Sequence, residues 1–371
     1  MVRRTVLPLL LAALALLPAG ASRAIASSRG SIPSGWPSHL VLGVSDPPGD
    51  AQALRAHAPV DMRYQYLAGG VNTGHGWATW NPNGSFVSMY VGESFAAHMI
   101  PVFTYYQLLQ SAPSVGSNEQ ARDLSNLRDP ATMRAYWADF SLLLRRIAGS
   151  SGGRTAIIHV EPDMWGYLEQ ARATRLARSF AQRLITLRNR LAPHVLLAWH
   201  LSVWGTKEDP TYSKPSLRHM DQLAAESAAF YESLHAHFDL VFNDVTDRDA
   251  GFYQHVEGNP HTWWGPADFV RHDRYIAGFT ARTHTAVVLW QLPVGDTHEN
   301  DTWDHFRDNR LQWWFGWVGT QSAAHRRATA DSGVIGMLFG AGADGNTTPQ
   351  TDGGLYYRLA RRYEQHPLGV G

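Results

Sequence analysis

The 371-residue chain contains no cysteine. Disulfides, thiolate metal ligands and a lipidated cysteine behind a leader are therefore excluded, and stability has to come from a large buried core. Lysine is nearly absent as well. Lys207 and Lys214 are the only two, and arginine supplies the remaining basic charge. Acidic and basic residues number 32 each, so no excess of either sign recruits nucleic acid or an anionic membrane. Beyond the N-terminus no apolar run is long enough to cross a bilayer. Fixed-period repeats, low-complexity tracts and linkers are missing. So is a phosphate-binding turn, because Gly43-Val-Ser-Asp-Pro-Pro-Gly49 lacks the spacing of a dinucleotide fingerprint.

What is present begins with a leader. Met1-Val-Arg-Arg-Thr5, an apolar run from Val6 to Leu17 and a small-residue stretch ending at Ala24-Ile-Ala26 have the three parts of a signal peptide. Cleavage near residue 26 and export are expected, leaving residues 27–371 as one secreted, monomeric domain without a membrane anchor. The Arg3-Arg4 pair raises twin-arginine export, although its flanks match that signal poorly.

Eight short β-branched or apolar runs bounded by turn residues follow. They are His39 to Ser45, Val60 to Tyr66, Met99 to Tyr105, Thr155 to Glu161, His194 to Leu201, Phe238 to Asp244, Thr285 to Leu292 and Gly333 to Phe339. Between most of them apolar residues recur at helical spacing, as in Ala131 to Ala148, Tyr167 to Leu191, Ser216 to His235, Pro266 to Arg282, Phe306 to Arg327 and Gly354 to Glu364. Strand then helix, eight times, predicts an α/β fold of the (β/α)8 TIM barrel class in a single domain.

In such a barrel the site lies where strands end. The most informative end is Thr155-Ala-Ile-Ile-His-Val-Glu-Pro-Asp163, an apolar run that stops on two carboxylates. Alternation along an extended strand projects His159, Glu161 and Asp163 to one face. A capped strand leading into a helix start is the plainer reading of the same acids. Other strand ends supply Tyr64, Tyr66, Tyr105, His200, Trp204, Asp244, Asp247, Gln291 and Asp296. Carboxylates and aromatics with no cofactor motif suit cleavage of a glycosidic bond, in which one carboxyl protonates the leaving oxygen while another activates water or attacks the anomeric carbon. Asp163 or Glu161 is the expected acid, and Asp244, Asp247 or Asp296 the partner. Tyr64, Tyr66, Tyr105, His200, Trp204, Gln291 and the loop residue Trp263 are expected to contact sugar. No cofactor or metal is expected, and the partner is a polysaccharide or oligosaccharide.

Weaker signals point elsewhere. His159 within an apolar strand has the ordinary reading of a satisfied core histidine. His75, His298 and Glu299 lie on loops without zinc-ligand spacing. Asp244 to Asp249 lacks the glycine and terminal glutamate of a calcium loop, and Ser45 and Ser202 lack a nucleophile-elbow setting.

Val160-Glu-Pro-Asp163 resembles the glutamate-proline-aspartate strand end of glycoside hydrolase family 6. That resemblance implies Asp163 as the general acid of an inverting mechanism, with His200 and Trp204 lining the sugar cleft. The family's tyrosine and aspartate loop before the acid has no counterpart here. Retaining barrel glycosidases carry an acid glutamate on strand four and a nucleophilic glutamate on strand seven. Glu161 matches the first, but Gln291 stands near the second. The sequence therefore leaves open a non-hydrolytic carbohydrate-binding barrel and a metal-dependent hydrolase of another class.

Overall fold

The computed structural model describes residues 30–316, 320–340 and 342–370. The expected leader lies outside the described residues. Eight strands form: β1 (Val41–Ser45), β2 (Met62–Leu67), β3 (Ile100–Tyr105), β4 (Ala156–Val160), β5 (Val195–Leu201), β6 (Leu240–Asp244), β7 (Val287–Leu292) and β8 (Val334–Phe339). Each pairs in parallel with the next, and β1 with β8, so the sheet closes into a (β/α)8 barrel. Every expected strand is present, because a strand covered on both faces must read as a nearly continuous apolar run.

Helices run between the strands, with two departures from the sequence pattern. The single helix expected over Tyr167 to Leu191 is two, Pro162–Gln170 and Thr174–Leu191, separated at Arg172 where φ is 51°. Both pieces pack on β5, so apolar spacing continues through a break that it cannot reveal. The stretch from Phe306 to Arg327 is not one helix either. A π turn covers Gln312–Gly316 and an α-helix covers Thr320–Asp331. Before them, Asp308 and Arg310 are drawn into a buried loop network. No helix among the described residues is long and apolar enough to cross a membrane.

Strand alternation sorts side chains between the barrel interior and the helical shell. Trp165 and Trp199 pack outward among Phe180, Phe238 and Phe279, each fully buried large side chain contributing about 1.5–3 kcal/mol. Inside, His159 fits between Phe242 and Trp290, with ring centroids at 4.6 Å from both.

Buried polar ties hold the upper loops. Asp249 Oδ2 accepts from Thr347 N at 2.8 Å, and Asp308 Oδ2 accepts from Ala250 N at 2.9 Å and from Arg310 Nη1 at 2.5 Å. Arg310 Nη2 also donates to the Thr262 carbonyl at 2.8 Å. The connections after β6, β7 and β8 are thereby locked to one another, with Asp308 and Arg310 as a buried ion pair. Asn346 Nδ2 donates to the Asp247 carbonyl at 2.9 Å, which fixes the backbone that carries Asp247.

Candidate active site

An open cleft of about 300 Å³ lies at the C-terminal end of the barrel. Its walls include Asp163, Asp244, Asp247, Tyr66, Trp290 and Gln291, with Tyr106, Glu119 and Arg248 completing the rim. Four carboxylates from three βα junctions therefore face one space.

Asp163 enters on the first turn of helix Pro162–Gln170, directly after β4. Tyr106 donates its hydroxyl to Asp163 Oδ2 at 3.0 Å. Desolvation raises the Asp163 pKa and the charge of Asp244 adds to the rise, against opposing contributions from His200 and Tyr106. Asp247 is pushed up to about 7 by desolvation and by the charges of Asp244 and Asp163. A carboxyl at about 7, as Asp247 is, keeps a proton near neutral pH, and the rise at Asp163 is in the direction an acid catalyst requires.

Asp244 is only 8% exposed and ends β6. Its Oδ1 lies 3.0 Å from His200 Nε2, and His200 Nδ1 lies 3.0 Å from His159 Nε2. Thr104 Oγ1 stands 3.4 Å from the remaining His159 nitrogen. Desolvation, with the nearby His200 charge, holds the His159 pKa well below the usual histidine range, so His159 is a neutral, fully hydrogen-bonded core residue. The result is a polar chain that runs from the cleft floor into the barrel.

Gln291 reaches the cleft through an irregularity. Between Leu289 and Leu292 the β7 strand carries one more residue than β8, and Gln291 has a φ of 56°. A bulge of this kind re-aims a side chain near the rim of a barrel. The Gln291 amide donates to the Tyr66 hydroxyl. Gly342 stands opposite, where an added Cβ would lie 2.6 Å from the Gln291 amide nitrogen.

Several residues expected at the site are elsewhere. Glu161 does not share a face with Asp163, because the chain turns at Glu161 with a φ of 45° and leaves the strand. Its carboxyl is fully buried against the loop after β3, where it accepts from Gln107 N at 3.2 Å and Leu108 N at 3.1 Å. Desolvation pushes its pKa up to about 8 in spite of those bonds. Tyr105 also points outward, donating to Asp139 Oδ1 at 2.6 Å and packing on Phe140. Its neighbour Tyr106 takes the place in the cleft. Tyr64 is fully buried one layer below Tyr66, tilted against Trp290. The Asp296 carboxylate caps its own turn by accepting from His298 N and Glu299 N, at 2.6 and 3.1 Å. Trp263 donates Nε1 to Gln254 at 2.6 Å, and Trp204 packs against Tyr167 at 4.9 Å, so neither ring lies in the cleft wall.

Sequence reasoning missed Tyr106, Glu119 and Trp290. Trp290 alternates with Leu289 along β7 and was readable as an inward residue. Tyr106 alternates with the inward Thr104 and was readable in the same way, whereas Glu119 depends on how the loop after β3 folds back, which no local pattern encodes. Among the described residues, the His, Asp and Glu groups whose ligand atoms converge within 4.8 Å are His39, Asp61 and Glu364, at the opposite end of the barrel.

No protein-family model matches the chain, and no curated protein matches it in sequence. The family 6 resemblance at Glu161-Pro-Asp163 is therefore not supported; those three residues open a helix and separate the two carboxyls. Solved structures do resemble the fold. An engineered protein aligns with a TM-score of 0.56 at 12% identity, covering 89% of this chain and 69% of that one. A modular endo-β-1,4-mannanase from Cellulomonas fimi, of glycoside hydrolase family 26, gives 0.54 at 11% identity over 90% and 72%. An exo-β-1,4-mannosidase from an Opitutaceae bacterium, strain TAV5, gives 0.50 at 11% identity over 90% and 62%. The chain thus has a (β/α)8 barrel fold of the kind found in glycoside hydrolases.

Proposed function

We propose that this protein is a secreted glycoside hydrolase acting on an extracellular or cell-wall polysaccharide, with Asp163 as general acid and Asp244 as its carboxylate partner. The observation that carries this reading is the convergence of Asp163, Asp244 and Asp247 on one open cleft beside Tyr66 and Trp290. In the reaction, the glycosidic C–O bond breaks as the leaving oxygen takes a proton from Asp163. The anomeric carbon gains a bond either to a water oxygen, whose proton passes to Asp244, or first to the Asp244 carboxylate, which water then displaces. Aromatic rings flanking the carboxyls provide apolar faces for sugar C–H groups.

Release of reducing ends from a panel of soluble polysaccharides tests the reading. Activity in the wild type that disappears in Asp163→Asn and Asp244→Asn supports it, and absence of turnover on every glycan refutes it. A second reading, a carbohydrate-binding barrel without turnover, is favoured by one observation. Gln291, near the end of β7, is an amide engaged with Tyr66, not a carboxylate. Glycan binding without reducing-end release would select that reading. Export is tested by finding the mature N-terminus near Ser27 in the medium of an expressing cell.

A further inference from the structure

Without cysteine the chain has no disulfide to fasten its C-terminal helix to the barrel. At the N-terminal end of the barrel, opposite the cleft, a set of metal-ligating side chains meets instead. His39 stands two residues before β1, Asp61 directly before β2, and Glu364 closes the helix Leu355–Glu364. One ligand atom from each lies within 4.8 Å of those of the other two. Their separation along the chain hides the set from any sequence motif.

The backbone beneath each ligand is fixed. His39 forms an antiparallel bridge with Gly369, while Leu40 N donates to the Leu368 carbonyl at 2.7 Å and Val370 N to the Ser38 carbonyl at 3.1 Å. Asp61 N donates to the Leu42 carbonyl at 2.9 Å, and its own carbonyl accepts from Ile100 N at 2.8 Å. Glu364 follows Tyr363, whose hydroxyl donates to the Leu40 carbonyl at 2.6 Å. Ligands on such rigid elements lose little freedom when an ion binds.

The side chains have the spacing and the chemistry of a zinc site. His39 Nε2 lies 3.1 Å from Asp61 Oδ2, close to the ~3.3 Å edge of a tetrahedron whose bonds to zinc are about 2.0 Å. Glu364 supplies an independent sign, because its Oε1 is enclosed by protein and accepts no hydrogen bond. Enclosed carboxylate oxygens are ordinarily satisfied. Arg55 does not fill this gap, since its Nη1 donates to the Val60 carbonyl at 3.2 Å. Desolvation and the charge of Asp61 push the Glu364 pKa up to about 7, so near neutral pH an ion has only a weakly held proton to displace. One imidazole with two carboxylates suits zinc better than magnesium or calcium, which favour oxygen ligands alone. The His39 and Asp61 side chains stay 23% and 19% exposed, which leaves the ion a way in.

We propose that His39, Asp61 and Glu364 bind one zinc ion, with water completing its coordination, and so clasp the C-terminal helix to the starts of β1 and β2. With three protein ligands the site is open, so the ion exchanges with solution and the stability it confers follows the zinc concentration. The clasp is remote from the cleft and does not depend on the glycosidase reading.

Calorimetric titration of the chelator-treated full chain with zinc chloride, at a pH above the ordinary histidine range, tests the proposal. A saturable site of one ion per chain is expected. Zinc at about a hundredfold excess over its dissociation constant should raise Tm by about 3–5 °C, and magnesium or calcium should leave Tm unchanged. Glu364→Gln keeps the shape of a half-buried side chain at a helix end, and should weaken the site by at least about tenfold, the cost of losing even an outer-shell partner. His39→Gln should do the same. His219→Gln and His305→Gln break other histidine–carboxylate pairs and should leave the site intact. An ordinary ion triad, with a protonated His39 between two acids, would give no saturable zinc site, and that result overturns the proposal. So does zinc binding that Glu364→Gln leaves unchanged, loss of the site in His219→Gln or His305→Gln, or tighter binding of calcium than of zinc.

Discussion

His200 Nε2 lies 3.0 Å from Asp244 Oδ1, so the inward histidine of β5 and the last residue of β6 are in close polar contact at the cleft floor. The other His200 nitrogen meets His159, which burial keeps neutral. His200 therefore orients Asp244 from below and is itself oriented from inside the barrel. Replacing His200 with Ala is expected to lower kcat on a cleaved glycan by about 10- to 100-fold, the cost of losing one close polar contact to a charged group. KM should change little, because the ring lies beneath the cleft. Steady-state kinetics separate the two parameters, and a change confined to KM would count against this role.

The two neighbouring acids after β4 should behave oppositely. Asp163→Asn is expected to reduce kcat by about 10²- to 10⁴-fold, the usual contribution of a general acid. Glu161→Gln should retain activity, because that carboxyl lies under the loop after β3. Its effect is on stability. The folded pKa of Glu161, about 8 against an ordinary 4.5, means that the folded state keeps a proton the unfolded chain releases. This site's contribution to stability therefore falls as pH rises from about 4.5 to 8, then levels off. Thermal melts across that range should show a shallower fall for Glu161→Gln than for the wild type.

The alkaline limb of the pH profile should move in opposite directions in two rim variants. If Asp163 acts protonated, activity is lost as pH rises through its raised pKa. Tyr106 stabilises the ionised form through its hydrogen bond, so Tyr106→Phe should shift the limb to higher pH. Glu119 destabilises that form by repulsion, so Glu119→Gln should shift it to lower pH. Profiles of kcat/KM read the free enzyme directly. Shifts in the same direction for both variants would remove Asp163 as the titrating group.

Gln291 and Tyr66 should contribute to binding as a pair. Either Gln291→Ala or Tyr66→Phe is expected to raise KM by about 2- to 13-fold, the range for a net hydrogen bond. The double variant should cost less than the sum of the two, since each single change already breaks their shared bond. Gly342→Ala should reproduce the Gln291→Ala phenotype, because the new methyl would meet the amide. Full additivity in the double-mutant cycle would show that the two groups act independently.

The barrel was legible because its strands are apolar on both faces and its helices mostly on one, and those periods survive in any chain that builds this fold. The site was legible in part. Asp163, Asp244, Asp247, Tyr66 and Gln291 line the cleft, and His200 forms its floor. Glu161 and Tyr105 do not, and the two errors differ in origin. Two-residue alternation predicts a facing direction only while the backbone stays extended, and it fails at the residue where the chain turns. At Glu161 the turn sends the carboxyl outward, whereas at β3 alternation holds, with Thr104 and Tyr106 inward and Tyr105 outward, and the strand's inward set was read one residue out of step.

Composition and periodicity alone were thus enough for the fold class, the strand positions and the carboxylate-rich character of the strand ends, because burial imposes those patterns on local sequence. Which carboxylates meet was decided by packing across the barrel. The turn at Glu161, the bulge at Gln291 and the buried Asp249–Asp308–Arg310 network each depend on strands and loops far apart in the chain. Partners so distant leave no mark on the residues next to either acid.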